Sequence, residues 1–235
     1  MKEIDTDVLI VGSGLVGLVA AHCLLSLKYN VMIVDKKKFT NTKSNLKDTR
    51  TVAISEGSKQ FLENLSLWSD LKIHAEPIKR IKVFDRHSVN KIFFENTEKN
   101  QKLGYVIENS KFSKILRKKL SNNGIVKLYG SEIVKIIANN KLSQTYLRNQ
   151  KINSKLIIAA DGKNSTVREI FGNKIYKKNY PEKALVLNFY HEKSLNNTAY
   201  EIFYKTGPLA VLPMKRFNNF FSKLHYMVKQ RCFCK

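Results

Sequence analysis

Apolar positions in the first part of the chain change period twice. Residues 8–11 (Val-Leu-Ile-Val) form a short continuous run, the pattern of a parallel strand buried on both faces. Leu18, Ala21, Cys23, Leu24, Leu25 and Leu27 then supply a strongly apolar helix, and 31–34 (Val-Met-Ile-Val) a second buried strand. Further on, Phe112, Ile115, Leu116 and Leu120 share one face of an amphipathic helix that Asn109 is placed to cap. Residues 156–160 predict another strand, followed by a short helix ending near Gly172, for which Thr166 and Glu169 form a capping box. Alternating runs at 78–84, 91–95, 184–191 and 200–204 predict a β-rich part.

The first two strands flank Gly12-Ser13-Gly14-Leu15-Val16-Gly17, and the second ends in Asp35. Strand, G-x-G-x-x-G, helix, strand and terminal acid in that order are the fingerprint of a dinucleotide site. Gly12 permits a tight turn, Gly14 lets backbone approach a pyrophosphate, and Gly17 lets helix pack on strand. The helix start offers free N–H groups and a positive dipole end. Asp35 falls where a carboxylate accepts ribose hydroxyls, which disfavours a 2′-phosphate and leaves FAD or NAD. Lys36, next to it, is a candidate contact in a stretch, Lys36 to Lys38, that otherwise reads as solvated loop.

Composition bounds the rest. The chain has 235 residues with 43% hydrophobic content, enough for a buried core and too much for intrinsic disorder. Its 42 Lys+Arg against 19 Asp+Glu give a formal charge of +23, which raises the question of a polyanion partner. Only eight of the basic residues are Arg, the side chain that makes phosphate and base recognition specific, and the Lys residues are spread along the chain. The excess therefore reads as a compositional habit, with no nucleic-acid partner expected. Cys23, Cys232 and Cys234 cannot make a disulfide framework, so a reducing compartment is expected. Glu3, Asp5 and Asp7 stand where a signal peptide needs basic residues, and no uninterrupted apolar window is long enough to span a bilayer. The reading is cytoplasmic, with peripheral attachment to the inner face of a membrane left open. His22 reads as a core or cap residue. His74, His87, His191 and His225 lack ligand-spaced partners, so no metal site is expected.

Other segments carry a resemblance. Asp48-Thr49-Arg50-Thr51-Val52-Ala53-Ile54-Ser55 resembles the D-x-R-x-x-A-L-S segment of FAD-dependent aromatic-ring hydroxylases, in particular those of ubiquinone biosynthesis. Residues 103–109 (Leu-Gly-Tyr-Val-Ile-Glu-Asn) are similar to their G-Y-V-x-E-N stretch, although Ser110 stands where the family usually has Arg. Residues 159–168, Ala-Ala-Asp161-Gly162-Lys-Asn-Ser-Thr-Val-Arg, match the A-D-G-x-x-S-x-V-R fingerprint, and 207–213 resembles a substrate-domain segment. The resemblance implies an α/β fold, with a Rossmann-type FAD-binding domain interleaved with a β-rich substrate domain. Cofactor contacts are implied at Gly12, Ser13, Gly14, Leu15, Val16, Gly17, Asp35, Lys36, Arg50, Asp161 and Gly162. Leu212 and Pro213 either belong to a buried strand or line the aromatic pocket. NAD(P)H and O2 are the implied co-substrates of a ring hydroxylation on a polyprenylated phenol, in which the protein orients the ring and excludes water. No side chain is singled out as catalytic acid or base. Attachment to a membrane surface or to a ubiquinone-biosynthesis complex is compatible with such a substrate.

The same reading places the FAD-binding domain at 1–75 and 103–172, a partial substrate domain at 76–102 and 173–214, and an atypical tail at 215–235. After Asp161 the chain has no further Asp, and after Gly207 no further Gly, so the family's third cofactor motif, G-D-A-A-H, is missing. The tail from Lys215 carries no acid and two of the cysteines. The expectation at this level is a truncated chain, through a reading-frame change between Lys215 and Lys223. The alternatives are a catalytically inactive FAD-binding fragment or another FAD oxidoreductase of this fold.

Overall fold

A computed structural model describes residues 2–37, 50–86, 90–96, 101–122, 128–139, 141–180, 182–191, 194–215 and 221–231. Lys38, Asp48, His87, Cys232 and Cys234 lie outside the described residues. In chain order the elements are β1 (Lys2–Val11), α1 (Leu15–Ser26), β2 (Val31–Asp35), β3 (Thr51–Ser55), α2 (Glu56–Asn64), α3 (Trp68–Lys72), β4 (Glu76–Ile78), β5 (Arg80–Asp85) and β6 (Lys91–Glu95). They continue as β7 (Gly104–Glu108), α4 (Asn109–Asn122), β8 (Leu128–Gly130), β9 (Ile133–Ala138), β10 (Ser143–Leu147), β11 (Gln150–Ala159) and α5 (Thr166–Ile170). Last come β12 (Glu182–His191), β13 (Thr198–Tyr204), β14 (Gly207–Leu212) and β15 (Phe221–Arg231).

The backbone divides into two compact units, residues 1–45 with 112–176 and residues 46–111 with 177–235. The first is built on a sheet of order β8-β2-β1-β11-β10-β9, in which β8, β2, β1 and β11 are parallel and β10 and β9 add an antiparallel hairpin. The continuous apolar runs explain this: Val8 to Val11 and Val31 to Val34 are buried on both faces, as inner parallel strands must be. Leu9, Val11, Met32, Val34, Leu147, Ile152 and Val167 form one cluster of this core. On α4, Phe112, Leu116 and Leu120 are buried and Ile115 is half-buried, as the amphipathic spacing predicts.

The second unit holds a six-stranded sheet, β12-β15-β14-β13-β5-β6, antiparallel except for the β13–β5 pair, and a three-stranded sheet, β3-β7-β4. Ile78, Val106, Ala199 and Met214 form a core cluster there, with Leu212 packed against it. Trp68 meets Tyr105 edge to face, centroids 4.7 Å apart.

Residues 46–75 and 103–111, which the sequence reading places with the FAD-binding domain, lie in the unit of residues 46–111 with 177–235, where β3, β4 and β7 hydrogen-bond to one another. Two local readings are corrected. The stretch after Met214, set apart on composition, supplies β15, which pairs with both β12 and β14. Asn109 forms the first turn of α4 without a capping bond, its Oδ1 buried and unpartnered among the described residues.

Candidate dinucleotide site

The C-terminal ends of β1, β2 and β11 meet at the glycine turn. The Gly12 N–H donates to the Val34 carbonyl at 2.7 Å, and the Ala160 N–H to the Val11 carbonyl at 2.7 Å. In parallel α/β sheets this end of the strands is where ligands bind. The three glycines have separate reasons to be glycine. Gly12 has φ +103°, and a Cβ on it would lie 2.4 Å from the Ala160 carbonyl oxygen. A Cβ on Gly17 would lie 2.0 Å from the Gly12 carbonyl oxygen, so α1 can rest on the turn only through glycine. Gly14 is exposed and a Cβ there would meet nothing within 4 Å, so the chain's own packing does not require glycine at that position. The N-terminus of α1 has no side-chain cap, and Val16 is 74% exposed, which leaves the first N–H groups of the helix turned to the outside.

Ser13, between the first two glycines, is buried. Its N–H and hydroxyl both donate to Asp35 Oδ2, at 2.8 and 2.5 Å, and the Lys37 N–H donates to Oδ1 at 2.9 Å. Burial pushes the Asp35 carboxyl up, but the Ser13 hydroxyl, followed by the Lys37 and Ser13 N–H groups, outweighs it and holds Asp35 below its ordinary 3.8. A carboxylate offers about four acceptor positions, and three are used here. Lys36 is exposed, directly after Asp35.

Asp161 and Gly162 follow β11 on the other side of the turn. Asp161 Oδ2 accepts from the Val167 N–H at 3.3 Å, and its Oδ1 is buried without a hydrogen-bond partner among the described residues. Gly162 has φ +82° and open space beside it. The cap of α5 is Ser165, whose Oγ accepts from the Arg168 N–H at 3.0 Å, not the Thr166–Glu169 pair read from sequence. The reason is register: the helix begins at Thr166, so the cap position falls one residue earlier. Val16, Ala159 to Gly162 and Phe171 border a cavity of about 490 Å³ on this side, a size ordinary for a ligand site.

Arg50 is exposed just before β3 in the second unit, where its carbonyl accepts from the Asn109 N–H at 2.9 Å. Leu212 is half-buried and Pro213 buried at the end of β14. Lys111 pairs with Glu108 at 3.3 Å. His22 is buried in α1 with Nε2 3.0 Å from the Leu116 carbonyl, which confirms it as a core residue. Sequence reasoning missed Arg117, half-buried on α4, whose Nη2 donates to the Ser13 carbonyl at 3.2 Å. The only signal for it was an Arg adjoining the apolar stripe of a helix in a chain that otherwise favours Lys.

These features fit a dinucleotide. The turn is closed where packing demands it, open at Gly14, fringed by uncapped N–H groups, and flanked by an unpartnered carboxylate oxygen at Asp161. The family model described as FAD binding domain matches residues 5–230. The chain belongs to this family. Its match runs through most of β15, so the composition change after Met214 does not mark the end of family-like sequence. The chain is 30% identical over 210 residues to ubiquinone hydroxylase UbiL of Rhodospirillum rubrum, covering 88% of this chain and 49% of the relative. It is 26% identical to 3-demethoxyubiquinol 3-hydroxylase of Escherichia coli, covering 96% of this chain and 58% of that one. The chain thus spans about half the length of the curated relatives it matches. Among solved structures, PqsL of Pseudomonas aeruginosa, a probable FAD-dependent monooxygenase, superposes with TM-score 0.81 at 15% identity, covering 97% of this chain and 61% of that one. p-Nitrophenol 4-monooxygenase PnpA of Pseudomonas putida gives 0.79 at 17% identity, covering 100% and 60%. At that identity the likeness establishes the fold.

Proposed function

We propose that this protein is an FAD-dependent monooxygenase that hydroxylates a polyprenylated phenol ring in ubiquinone biosynthesis, with NAD(P)H and O2 as co-substrates. The observation that carries the proposal is the glycine turn at the ends of β1, β2 and β11, open at Gly14 and closed at Gly12 and Gly17, in a chain whose relatives include ubiquinone hydroxylases. Bound FAD would supply the redox chemistry, accepting reducing equivalents from NAD(P)H and activating O2.

The chain's own residues bind and orient. The N–H groups of Gly14, Leu15 and Val16 would face the pyrophosphate, favoured by the dipole of α1. Asp35 has one acceptor position left for a ribose hydroxyl while its other positions hold Ser13 and Lys37. Asp161 Oδ1 would accept a donor from the cofactor, and Gly162 would let backbone come close to it. Arg50 and Lys36 are proposed as further cofactor contacts, and Leu212 and Pro213 as apolar contacts on the substrate side. The Lys excess supports contact with an anionic bilayer surface, where a prenylated phenol would reside.

Purified chain titrated with FAD, followed by NAD(P)H oxidation with and without a prenylated phenol, tests this reading. The expected result is a yellow protein whose NAD(P)H oxidation accelerates with the phenol. A protein that takes up no flavin would rule it out.

A further inference from the structure

The turn that would receive the phosphates is held by a residue that lies far away in sequence. Ser13 is 1% exposed, and its N–H, hydroxyl and carbonyl all have partners: Asp35 takes the first two, and Arg117 donates to the third. We propose that Arg117 is a positioning residue for the dinucleotide's phosphates. It grips Ser13 opposite Asp35, so that the turn keeps the shape that presents the N–H groups of Gly14 to Val16. The inference rests on the FAD reading above.

The local packing explains why Arg117 can do this. Its neighbour Leu116 is fully buried, and the Leu116 carbonyl is joined to His22 Nε2 at 3.0 Å, so α4 is fixed against α1 at the residue before Arg117. The stem of Arg117 therefore starts from a fixed point, and its half-buried guanidinium meets a carbonyl that no water can reach freely. Electrostatics supplies a second reason. Asp35 places a negative charge directly behind a turn meant for a pyrophosphate, and the Arg117 charge interacts with it. Burial draws the guanidinium below its ordinary value, opposed by Asp35, yet an arginine stays protonated at any working pH. The pair is neutral in sum, so the incoming phosphates do not face an uncompensated carboxylate. A turn fixed before binding also avoids the entropy of ordering it afterwards.

The test uses the full chain and the variants Arg117→Met, Arg117→Gln, Arg117→Lys and Ser13→Ala. FAD affinity is read by flavin fluorescence, and amide hydrogen exchange over residues 12–17 is read in the FAD-free chain. Arg117→Met is expected to weaken FAD binding about tenfold or more and to speed exchange over 12–17 while α1 beyond Leu18 keeps its protection. Arg117→Lys should recover part of the affinity, and Ser13→Ala should show the same loss as Arg117→Met in milder form. If Arg117→Met does not fold, Arg117→Gln carries the same two readouts. Folded charge-less variants with affinity within about twofold of the parent and unchanged exchange over 12–17 would overturn the inference while leaving the FAD reading intact. A parent chain that binds no FAD overturns both.

Discussion

At the scale of single residues, two glycines of one motif should respond oppositely to the same change. Gly17→Ala drives a methyl into the Gly12 carbonyl, 2.0 Å away, where only backbone movement gives relief. It should cost roughly 3 kcal/mol or more of stability, measured by denaturant unfolding. Gly14→Ala meets nothing within 4 Å and sits at φ −67°, so its stability cost should stay below about 1 kcal/mol, the scale of a changed helix cap. Its effect should fall on FAD affinity instead, with a loss of about tenfold or more. Equal stability losses in the two variants would contradict the assigned roles. His22 gives a pH signature. Burial, aided by the Lys119 charge, lowers its pKa from 6.5, against the hydrogen bond to the Leu116 carbonyl. The folded state thus binds its proton less readily than the unfolded chain. The stability this confers is complete above 6.5 and is lost as pH falls from there through the folded value. His74, also lowered by burial and by Lys111 and Lys215, acts in the same direction. Melting temperature should fall between pH 7.5 and 5, and His22→Gln should flatten that slope; a parent-like slope in the variant would count against His22 as its source.

Among the elements, α5 depends on its caps. A five-residue helix has few internal bonds, and two of its N–H groups are satisfied by side chains, Arg168 by Ser165 Oγ and Val167 by Asp161 Oδ2. Ser165→Ala should cost about 1 kcal/mol, read by chemical denaturation, and should speed amide exchange at Val167 and Arg168. Exchange there at the parent rate would refute the cap. How far such elements show in the sequence varies with what holds them. Continuous apolar runs located β2 and the inner half of β1, because burial on both faces leaves that trace; the run at the end of β11 also marks a strand, although Leu156 is 52% exposed and the residues after it are at most half-buried. The outer half of β1, from Lys2 to Thr6, left no such run. It pairs with Gln150 to Ser154, with Lys151 and Asn153 reaching Glu3 at 2.9 and 2.7 Å on one side and Ile4 opposite the buried Ile152 on the other, and a single apolar residue among five is too little to mark a strand. The β9–β10 hairpin does bury one face through Ile136, Thr145 and Leu147, but Val134 and Ile137 are exposed on the other, so its apolar residues follow no clean alternation. The glycines and Asp35 were legible because their chemistry is local. The Ser13–Arg117 bond joins distant parts of the chain and needed the fold to be seen.

For the whole molecule, the useful quantity is where FAD puts its binding energy. A ligand that binds only the folded state stabilises it by mass action, about 2.7 kcal/mol at about 100 times Kd. Nearly every proposed contact, from Gly12 to Gly17, Asp35, Lys36, Asp161 and Gly162, belongs to the unit of residues 1–45 and 112–176; Arg50 is the exception in its named cofactor set. If those contacts carry the binding, protection should be confined in the same way. Amide exchange with and without saturating FAD should slow over 12–17 and 160–167, and also near Arg50 in β3. It should be little changed over β5, β6 and β13, whose ladder bonds belong to the other unit's sheet. The local opening of each segment reports its own free energy, so the two units can be read separately in one sample. The net charge of +23 makes one confusion possible, since any dianion could gather near so basic a surface. Repeating the exchange with inorganic pyrophosphate at the same concentration separates the cases. Diffuse attraction would be reproduced by pyrophosphate and abolished by salt, because exposed charges are screened beyond about 10 Å at 0.1 M. A site built around the glycine turn would keep its protection with FAD in salt. Protection spread evenly across β5, β6 and β13 would show that the turn is not where the binding energy goes.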